Sequence, residues 1–226
     1  MVASSIAALF DLDGTLYTGH IATAFRVHHQ TQRVKRLQTI LYFAAHVPIW
    51  WLVRAGLLSD EAMRRVWTQD MGWLVAGWRV EEAQVAFEWI AENYVLPLVR
   101  ESILERAHAH QRQGQRTILV SGTPTQLLEV IGRAMGIREV VGTPLVVKNG
   151  RYTGASQRPV CQGVNKVRRV QEHAGDESGI DWGQSYAYAD SILDLPLLKK
   201  VGHPVAVCPD AALKAYARSH QWEILE

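Results

Sequence analysis

The fold depends on the stretch Ala7-Ala8-Leu9-Phe10-Asp11-Leu12-Asp13-Gly14-Thr15-Leu16, in which an apolar run ends in two carboxylates one residue apart. The run from Ile6 to Phe10 predicts a strand buried on both faces, as in the centre of a parallel sheet. Ligands of such sheets bind outside the carboxyl ends of the strands. We therefore expect Asp11 and Asp13 at the site of chemistry, with Gly14 allowing the chain to turn sharply.

The two carboxylates admit two interpretations. Asp and Gly are ordinary turn residues, so the segment from Asp11 to Gly14 could be a solvated turn. Alternatively, the two carboxylates repel each other unless a cation lies between them. Mg²⁺ suits this position because it binds carboxylate oxygens and keeps waters that a phosphate substrate can replace.

The composition sets limits on the class of protein. The chain has 226 residues, of which 48% are hydrophobic and 20% charged, as in globular proteins of one domain or two smaller ones. The net charge of +2 is too small to indicate a nucleic-acid partner. Cys161 and Cys208, the only cysteines, indicate a reducing compartment, although one disulfide stays open. With no basic region and apolar stretch at the N-terminus, we expect no signal peptide and a cytoplasmic location.

A long helical region separates the first strand from the next, which begins near Thr117. Helices are expected over 21–36, 37–57, 59–75, 80–96 and 99–113, with Pro97 interrupting the pattern. An insertion of about ninety residues would form a separate helical unit. We therefore divide the chain into an α/β core at residues 1–17 and 106–226 and a helical cap at residues 18–105.

The cap is rich in tryptophan, with six of the eight in the chain, and its most apolar part is 37–58. His46, Pro48 and Arg54 interrupt this part, so we do not expect a transmembrane span. The apolar helix could form the core of a small bundle, line an apolar substrate pocket or rest on a lipid surface. Arg54 is a candidate for substrate specificity.

Strands and helices alternate in the second half, as in a doubly wound α/β sheet. A strand at 115–120 precedes Ser121-Gly122-Thr123-Pro124 and an amphipathic helix at 126–135. The Ser121 hydroxyl and the amides at the helix start could bind phosphate, but either hydroxyl could instead cap the helix, and Thr123 is the expected cap. Further strands are predicted at 138–142, 186–190, 204–208 and 222–225, and a helix at 211–220.

Two lysines compete for a role beside the phosphate. Asn149-Gly150 between apolar runs predicts a hairpin over 145–154, a small β-flap that carries Lys148. Lys166 lies near the start of the basic helix that follows the flap. Either cation could neutralise charge between a nucleophile and a phosphate.

A third acid ends the strand that begins at Tyr186. Asp190 could complete a metal site with Asp11 and Asp13 from a neighbouring strand end. Asp194 follows Ser191 at the spacing of a capping box, so it could cap a helix or orient the metal waters or Lys166.

Four segments together resemble the signatures of the haloacid dehalogenase superfamily, in the order found in that family. They are Phe10-Asp11-Leu12-Asp13-Gly14-Thr15-Leu16, the strand end at Ser121, the lysine of Gly163-Val164-Asn165-Lys166, and Ala189-Asp190-Ser191-Ile192-Leu193-Asp194. The helical insert and the flap before Lys166 resemble the branch that contains phosphoserine phosphatases. The resemblance implies a Rossmann-like core and a Mg²⁺-dependent phosphomonoesterase that works through an aspartyl-phosphate.

The resemblance also implies residue roles. Asp11 is the nucleophile, and Asp13 is the general acid and base, whose backbone carbonyl can also bind the metal. The other implied groups are metal ligands and phosphate contacts: Asp11, Asp13 and Asp190 for Mg²⁺, and Leu12, Ser121, Gly122 and Lys166 for phosphate.

Three departures concern the substrate. His20 stands where phosphoserine phosphatases place a Glu that holds the substrate ammonium, and Leu193 stands where their fourth signature has an Asn. The apolar, Trp-rich insert suits a small zwitterion poorly. We therefore expect a small organic phosphomonoester other than phosphoserine. Phosphoserine phosphatase, a phosphotransferase on the same core, and a lipid-surface or interaction protein with a vestigial site are the alternatives, and the sequence gives no indication of oligomeric state.

Overall fold

The computed structural model describes residues 5–175 and 179–226, which form eight strands. In chain order these are β1 (Ala7–Phe10), β2 (Arg116–Pro124), β3 (Glu139–Thr143), β4 (Leu145–Lys148), β5 (Arg151–Ser156), β6 (Tyr186–Ala189), β7 (His203–Val207) and β8 (Glu223–Leu225). Six of them form one parallel sheet in the order β3-β2-β1-β6-β7-β8. This order is that of a doubly wound sheet, so the predicted core is confirmed.

The helices fall mainly between the first two strands. In chain order they are α1 (Ile21–Thr31), α2 (Arg36–Arg54), α3 (Asp60–Asp70), α4 (Val80–Ile90), α5 (Glu101–Arg112), α6 (Thr125–Ala134), α7 (Val164–Ala174), α8 (Leu195–Leu198) and α9 (Ala211–Ser219). A 3₁₀ helix continues α3 over Met71–Val75, and a π-helical turn continues α4 over Ala91–Val95. Pro97 lies in a separate 3₁₀ turn, Leu96–Leu98, so the predicted interruption of the helical pattern is confirmed.

Strand β1 is the centre of the sheet and is buried along its whole length. Leu9 aligns with Ile118 of β2 on one side and with Ala187 of β6 on the other. From β1 the chain adds strands first on one side of the sheet (β2, β3) and then on the other (β6, β7, β8). In sheets of this kind, ligands bind in the crevice outside the carboxyl ends of the strands at this switch point. The residues that follow β1 and β6 are therefore brought to the same edge.

Alternate residues of β1 belong to two different apolar clusters. Ala7 and Leu9 lie in one cluster, and Ala8 and Phe10 lie in the other. The second cluster also contains buried side chains of the inserted helices, such as Phe25 of α1 and Phe87 of α4. Since this cluster is continuous, packing alone does not separate a cap from a core, and the boundaries at residues 18 and 105 stay a prediction.

Several predicted boundaries are wrong. The first inserted helix ends at Thr31 rather than near Arg36, because Arg33 and Lys35 have positive φ angles of 57° and 48°. Strand β2 continues through Pro124, so α6 starts at Thr125 without a side-chain cap and Thr123 does not cap it.

The flap is confirmed as an antiparallel pair, β4 and β5, turning at Asn149 and Gly150. Both turn residues have positive φ, 51° and 70°, as a tight hairpin requires. Cys161 and Cys208 are free. Among the helices described, none combines the length and the apolarity needed to cross a bilayer.

Candidate active site

The carboxyl edge of the sheet brings a lysine between two aspartates. Lys166 Nζ lies 2.6 Å from Asp11 Oδ1 and 2.7 Å from Asp194 Oδ1. Asp11 directly follows β1, whereas Asp194 ends a 3₁₀ turn after β6. All three side chains are buried. The competing Lys148 is exposed on the flap, so Lys166 is the lysine that contacts the acids.

Lys166 reaches this position from the first turn of α7. Gly163, with φ 54°, turns the chain just before the helix begins at Val164. Burial disfavours the charge on Lys166, but attraction to Asp11 and Asp194 outweighs it and raises the pKa of the ammonium group. The lysine is therefore a charged group held in the interior.

Gly14 allows β1 and β6 to bring their acids close together. Its φ is 82°, and a Cβ added there would overlap the Asp190 carboxylate. Thr15 Oγ1 then donates to Asp11 Oδ2 at 3.2 Å and to Asp190 Oδ1 at 3.5 Å. The predicted sharp turn after β1 is thus required by the packing of two carboxylates.

Asp11, Asp190 and Asp194 form a cluster suited to a hard cation. Their oxygens lie within 4.8 Å of one another. Burial, followed by repulsion among the carboxylates, raises the pKa of all three to about 6, although Lys166 opposes this. One lysine cannot balance three carboxylates, and oxygen ligands of this kind suit Mg²⁺. The donor set therefore fits the expected metal: Asp11 and Asp190 are two of the predicted ligands, and Asp194 lies beside them in its ion pair with Lys166.

Asp13 lies beside this cluster, and its carboxylate accepts hydrogen bonds from groups outside the cluster. Its Oδ1 accepts a hydrogen bond from the Tyr17 hydroxyl at 2.8 Å, and its Oδ2 accepts one from the Ile21 amide at 3.1 Å. Burial raises the pKa of Asp13 despite these bonds. A carboxyl with a raised pKa holds its proton more readily, as a general acid must. Metal binding by Asp13 through its backbone carbonyl stays a prediction.

Of the predicted phosphate contacts, Ser121, Gly122 and Lys166 line the cavity into which the acids project. Ser121 Oγ donates to Thr123 Oγ1 at 3.0 Å and accepts from the Thr123 amide at 3.2 Å. Gly122 packs against α3, where an added Cβ would lie 2.9 Å from Thr68. Leu12 is buried, and its carbonyl accepts the amide of Leu16 at 3.1 Å. Phosphate binding by Leu12, Ser121 and Gly122 stays a prediction.

The acids form the floor of a cavity of about 370 Å³, and the inserted helices form its apolar wall. The wall side chains are Ala22, Tyr42, Phe43, Trp50, Met63, Trp67 and Met71. His20 also lines the cavity, as expected of a specificity residue.

Arg54 does not line the cavity. It is exposed at the end of α2, with its guanidinium 5.1 Å from the ring centroid of Trp50. The arginine on the wall is Arg64 of α3, which the sequence analysis missed. The spacing of Arg64 and Thr68, one helical turn apart on the cavity side, is the signal that could have identified it.

Asp194 forms an ion pair instead of completing a capping box. Ser191 Oγ accepts the amide of Leu193 at 3.4 Å, two residues on rather than the three of a capping box, so the hydroxyl caps the turn in a simpler way. The Asp194 carboxylate binds Lys166, in line with the alternative that it orients this lysine.

The comparisons with known proteins agree with this geometry. The sequence profile of the haloacid dehalogenase-like hydrolases matches residues 8–199. A probable phosphatase of Mycobacterium tuberculosis is 31% identical over 219 residues, which cover 97% of this chain and 74% of that protein.

Two solved structures share the fold. A protein of unknown function from Bordetella pertussis superposes with a TM-score of 0.81 at 24% identity, covering 99% of both chains. A substrate complex of phosphoserine phosphatase superposes with a TM-score of 0.65 at 21% identity, covering 99% of this chain and 93% of that one. The profile match extends from β1 through α8 and includes every signature residue, so the chain belongs to the haloacid dehalogenase-like hydrolase family.

Proposed function

We propose that this hydrolase is a Mg²⁺-dependent phosphomonoesterase that works through an aspartyl-phosphate on Asp11. One observation carries the proposal: a buried lysine lies 2.6 Å from Asp11 within a cluster of carboxylates that opens into a cavity. The name of the M. tuberculosis relative, a probable phosphatase, supports the same class of reaction.

The proposed reaction has two displacements. An Asp11 oxygen attacks phosphorus, the ester P–O bond breaks, and Asp13 gives its proton to the leaving alkoxide. Asp13 then accepts a proton from water, whose oxygen attacks the phosphorus of the acyl phosphate. The bond to Asp11 breaks, inorganic phosphate leaves, and both carboxyls return to their starting states.

The surrounding groups stabilise charge on the transferring phosphoryl group. Lys166 supplies a fixed positive charge beside Asp11, and the Ser121 hydroxyl can donate to a phosphoryl oxygen. Mg²⁺ held by Asp11, Asp190 and the Asp13 carbonyl would reduce the repulsion between nucleophile and phosphate. Asp194 keeps Lys166 in place through its ion pair.

The cavity favours a phosphomonoester with an apolar or aromatic group. Among the described residues, the acids that line it are the four aspartates at the sheet edge. Asp70, which could have held a substrate ammonium, instead lies 3.4 Å from His46 Nε2. The inserted helices thus supply aromatic faces and no acid for an ammonium group, which argues against phosphoserine.

Phosphate release from a panel of phosphomonoesters, with Mg²⁺ and with chelator, tests this function. We expect release only with Mg²⁺ and a loss of at least about a thousandfold in Asp11→Asn, since an amide cannot attack phosphorus. Asp181→Asn is the matched control: it makes the same change of carboxylate to amide at a residue that does not line the cavity.

Ordinary turnover by Asp11→Asn would contradict the nucleophile assignment. The highest kcat/KM for phosphoserine would contradict the substrate class while leaving the mechanism intact. Transfer to an added alcohol in place of phosphate release would identify a phosphotransferase.

A further inference from the structure

Helix α2 presents an apolar face to solvent. Residues 37–53 contain no Asp, Glu, Lys or Arg. Of the fifteen exposed large hydrophobic side chains among the described residues, nine lie in 37–58: Leu37, Ile40, Leu41, Val47, Trp50, Trp51, Leu52, Leu57 and Leu58. Trp51 is 61% exposed and Leu37 65%. A continuous apolar surface of this kind marks a site of contact with a partner or a membrane.

The opposite face of α2 holds the helix to the protein. Thr39, Tyr42 and His46 are the buried residues of the helix. The Tyr42 hydroxyl donates to the Trp67 carbonyl at 2.9 Å, and His46 Nε2 lies 3.4 Å from Asp70. The helix is therefore fixed along the molecular surface, about 28 Å long at the usual rise per residue, with its apolar side outward.

Exposed cations lie at both ends of the apolar face. Arg33 and Arg36 lie at its start, and Arg54 lies at its end. The first acids beyond it are Asp60 and Glu61 in α3, and Glu61 faces Gly163 of the core. If a second copy of the chain paired with this face antiparallel across a twofold axis, the arginines at the start of one helix would lie against the arginine at the end of the other. The repulsion between these cations argues against a second copy as the partner. Anionic headgroups complement both ends at once.

We propose that the outer face of α2 docks on an anionic lipid bilayer, with the helix axis in the plane of the interface. Aromatic and leucine side chains on one side, with flanking arginines, are the features of helices that bind in this way. Trp50 belongs both to this face, where it is 41% exposed, and to the cavity wall, so the bilayer would lie beside the cavity mouth. The inference concerns a surface outside the catalytic groups and does not depend on the proposed function.

Flotation with vesicles tests the proposal on the full chain. Vesicles of phosphatidylcholine alone are compared with vesicles that contain phosphatidylglycerol, at low and high salt. We expect binding to the anionic vesicles that weakens with salt. Val47→Gln combined with Trp51→Gln should lower the partition coefficient at least about tenfold, because two large apolar side chains no longer enter the interface.

Matched controls separate a local effect from a general one. Val85→Gln removes an exposed valine from α4, and Arg218→Gln removes an exposed arginine from α9; neither should change binding. Arg36→Gln should reduce the preference for anionic vesicles. Thermal unfolding of every variant verifies that it is folded.

Three outcomes would overturn the proposal. They are no flotation of the wild-type chain with anionic vesicles, equal flotation of the Val47 and Trp51 double variant, and a dimer in solution that this variant dissociates. The last outcome would identify a second copy as the partner of α2.

Discussion

Replacing Lys166 by Met should destabilise the protein in a manner that depends on pH. The ammonium group contacts Asp11 and Asp194, and the residue as a whole is 3% exposed. Removing one partner of a buried ion pair costs about 3–5 kcal/mol, because the remaining charge stays buried without compensation. We expect a loss of this size in the free energy of unfolding at pH 8, with chelator present.

The loss should be smaller at pH 5. The pKa of both Asp11 and Asp194 is raised by burial to about 6, above the ordinary 3.8. A carboxyl with a raised pKa binds more protons in the folded than in the unfolded state, so its contribution to stability falls as pH rises through that interval. Without Lys166 these pKa values rise further. At pH 5 the remaining cost is that of lost hydrogen bonds, about 1–2 kcal/mol.

Urea unfolding of wild type, Lys166→Met and Arg168→Met at both pH values measures the difference. Arg168 lies on the same helix in an exposed ion pair with Glu172, at 2.7 Å, so its loss should cost only about 0–1 kcal/mol. Equal losses for Lys166→Met at pH 5 and pH 8 would refute the reasoning. So would a loss no larger than that of Arg168→Met. The kcat should also fall by about 10²–10³ because a fixed charge beside the phosphoryl group is lost.

Three further predictions concern the metal, the turn and the interior histidines. Asp190→Asn should raise the Mg²⁺ concentration for half-maximal phosphate release about tenfold or more; an unchanged titration would count against a ligand role. Gly14→Ala should lower kcat at least about tenfold, since its Cβ would overlap Asp190, whereas Gly150→Ala, with similar positive φ and open space, should keep wild-type kinetics. Burial, then His29, lowers the pKa of His28 to about 4. The unfolded state therefore binds more protons at His28 between pH 6.5 and 4, so the contribution of His28 to stability should fall by about 1–2 kcal/mol from pH 7 to pH 5, opposite in sign to that of the carboxylates at the sheet edge. In urea unfolding, the difference in stability between wild type and His28→Phe should shift by this amount in favour of the variant from pH 7 to pH 5, and an unchanged difference would contradict the assignment.

The acids at the sheet edge could be predicted from the sequence because their positions follow from local pattern and topology. Asp11 ends an apolar run and Asp190 ends another, and parallel strands place their carboxyl ends together. The contact between Lys166 and Asp11 could not be predicted from the sequence pattern alone. Spacing alone left Lys148 as a rival, and only the resemblance to the family favoured Lys166.

The inserted helices were harder to predict because their faces are decided by contacts distant in sequence. Helix α2 is apolar on both sides, so periodicity could not tell which side is exposed. Arg54 is the arginine that interrupts the apolar segment in the sequence, but it does not line the cavity. Arg64 lines it instead, because α3 packs beside Gly122 of β2. Thr123 looked like a helix cap because the sequence did not show that β2 continues through Pro124.

The register of β1 links the stability of the sheet to the chemistry at its edge. Side chains of a strand alternate between the two faces of the sheet. If β1 slipped by one residue, Leu9 and Phe10 would each point into the apolar cluster that now holds the other. The same slip would turn Asp11 away from Lys166 and Thr15. Phe10 stacks on Tyr188 of β6 with ring centroids 4.2 Å apart, a contact that aligns the two strands just before their acids. Packing on both faces of β1 therefore holds Asp11 at 2.6 Å from Lys166 against the repulsion of the neighbouring carboxylates.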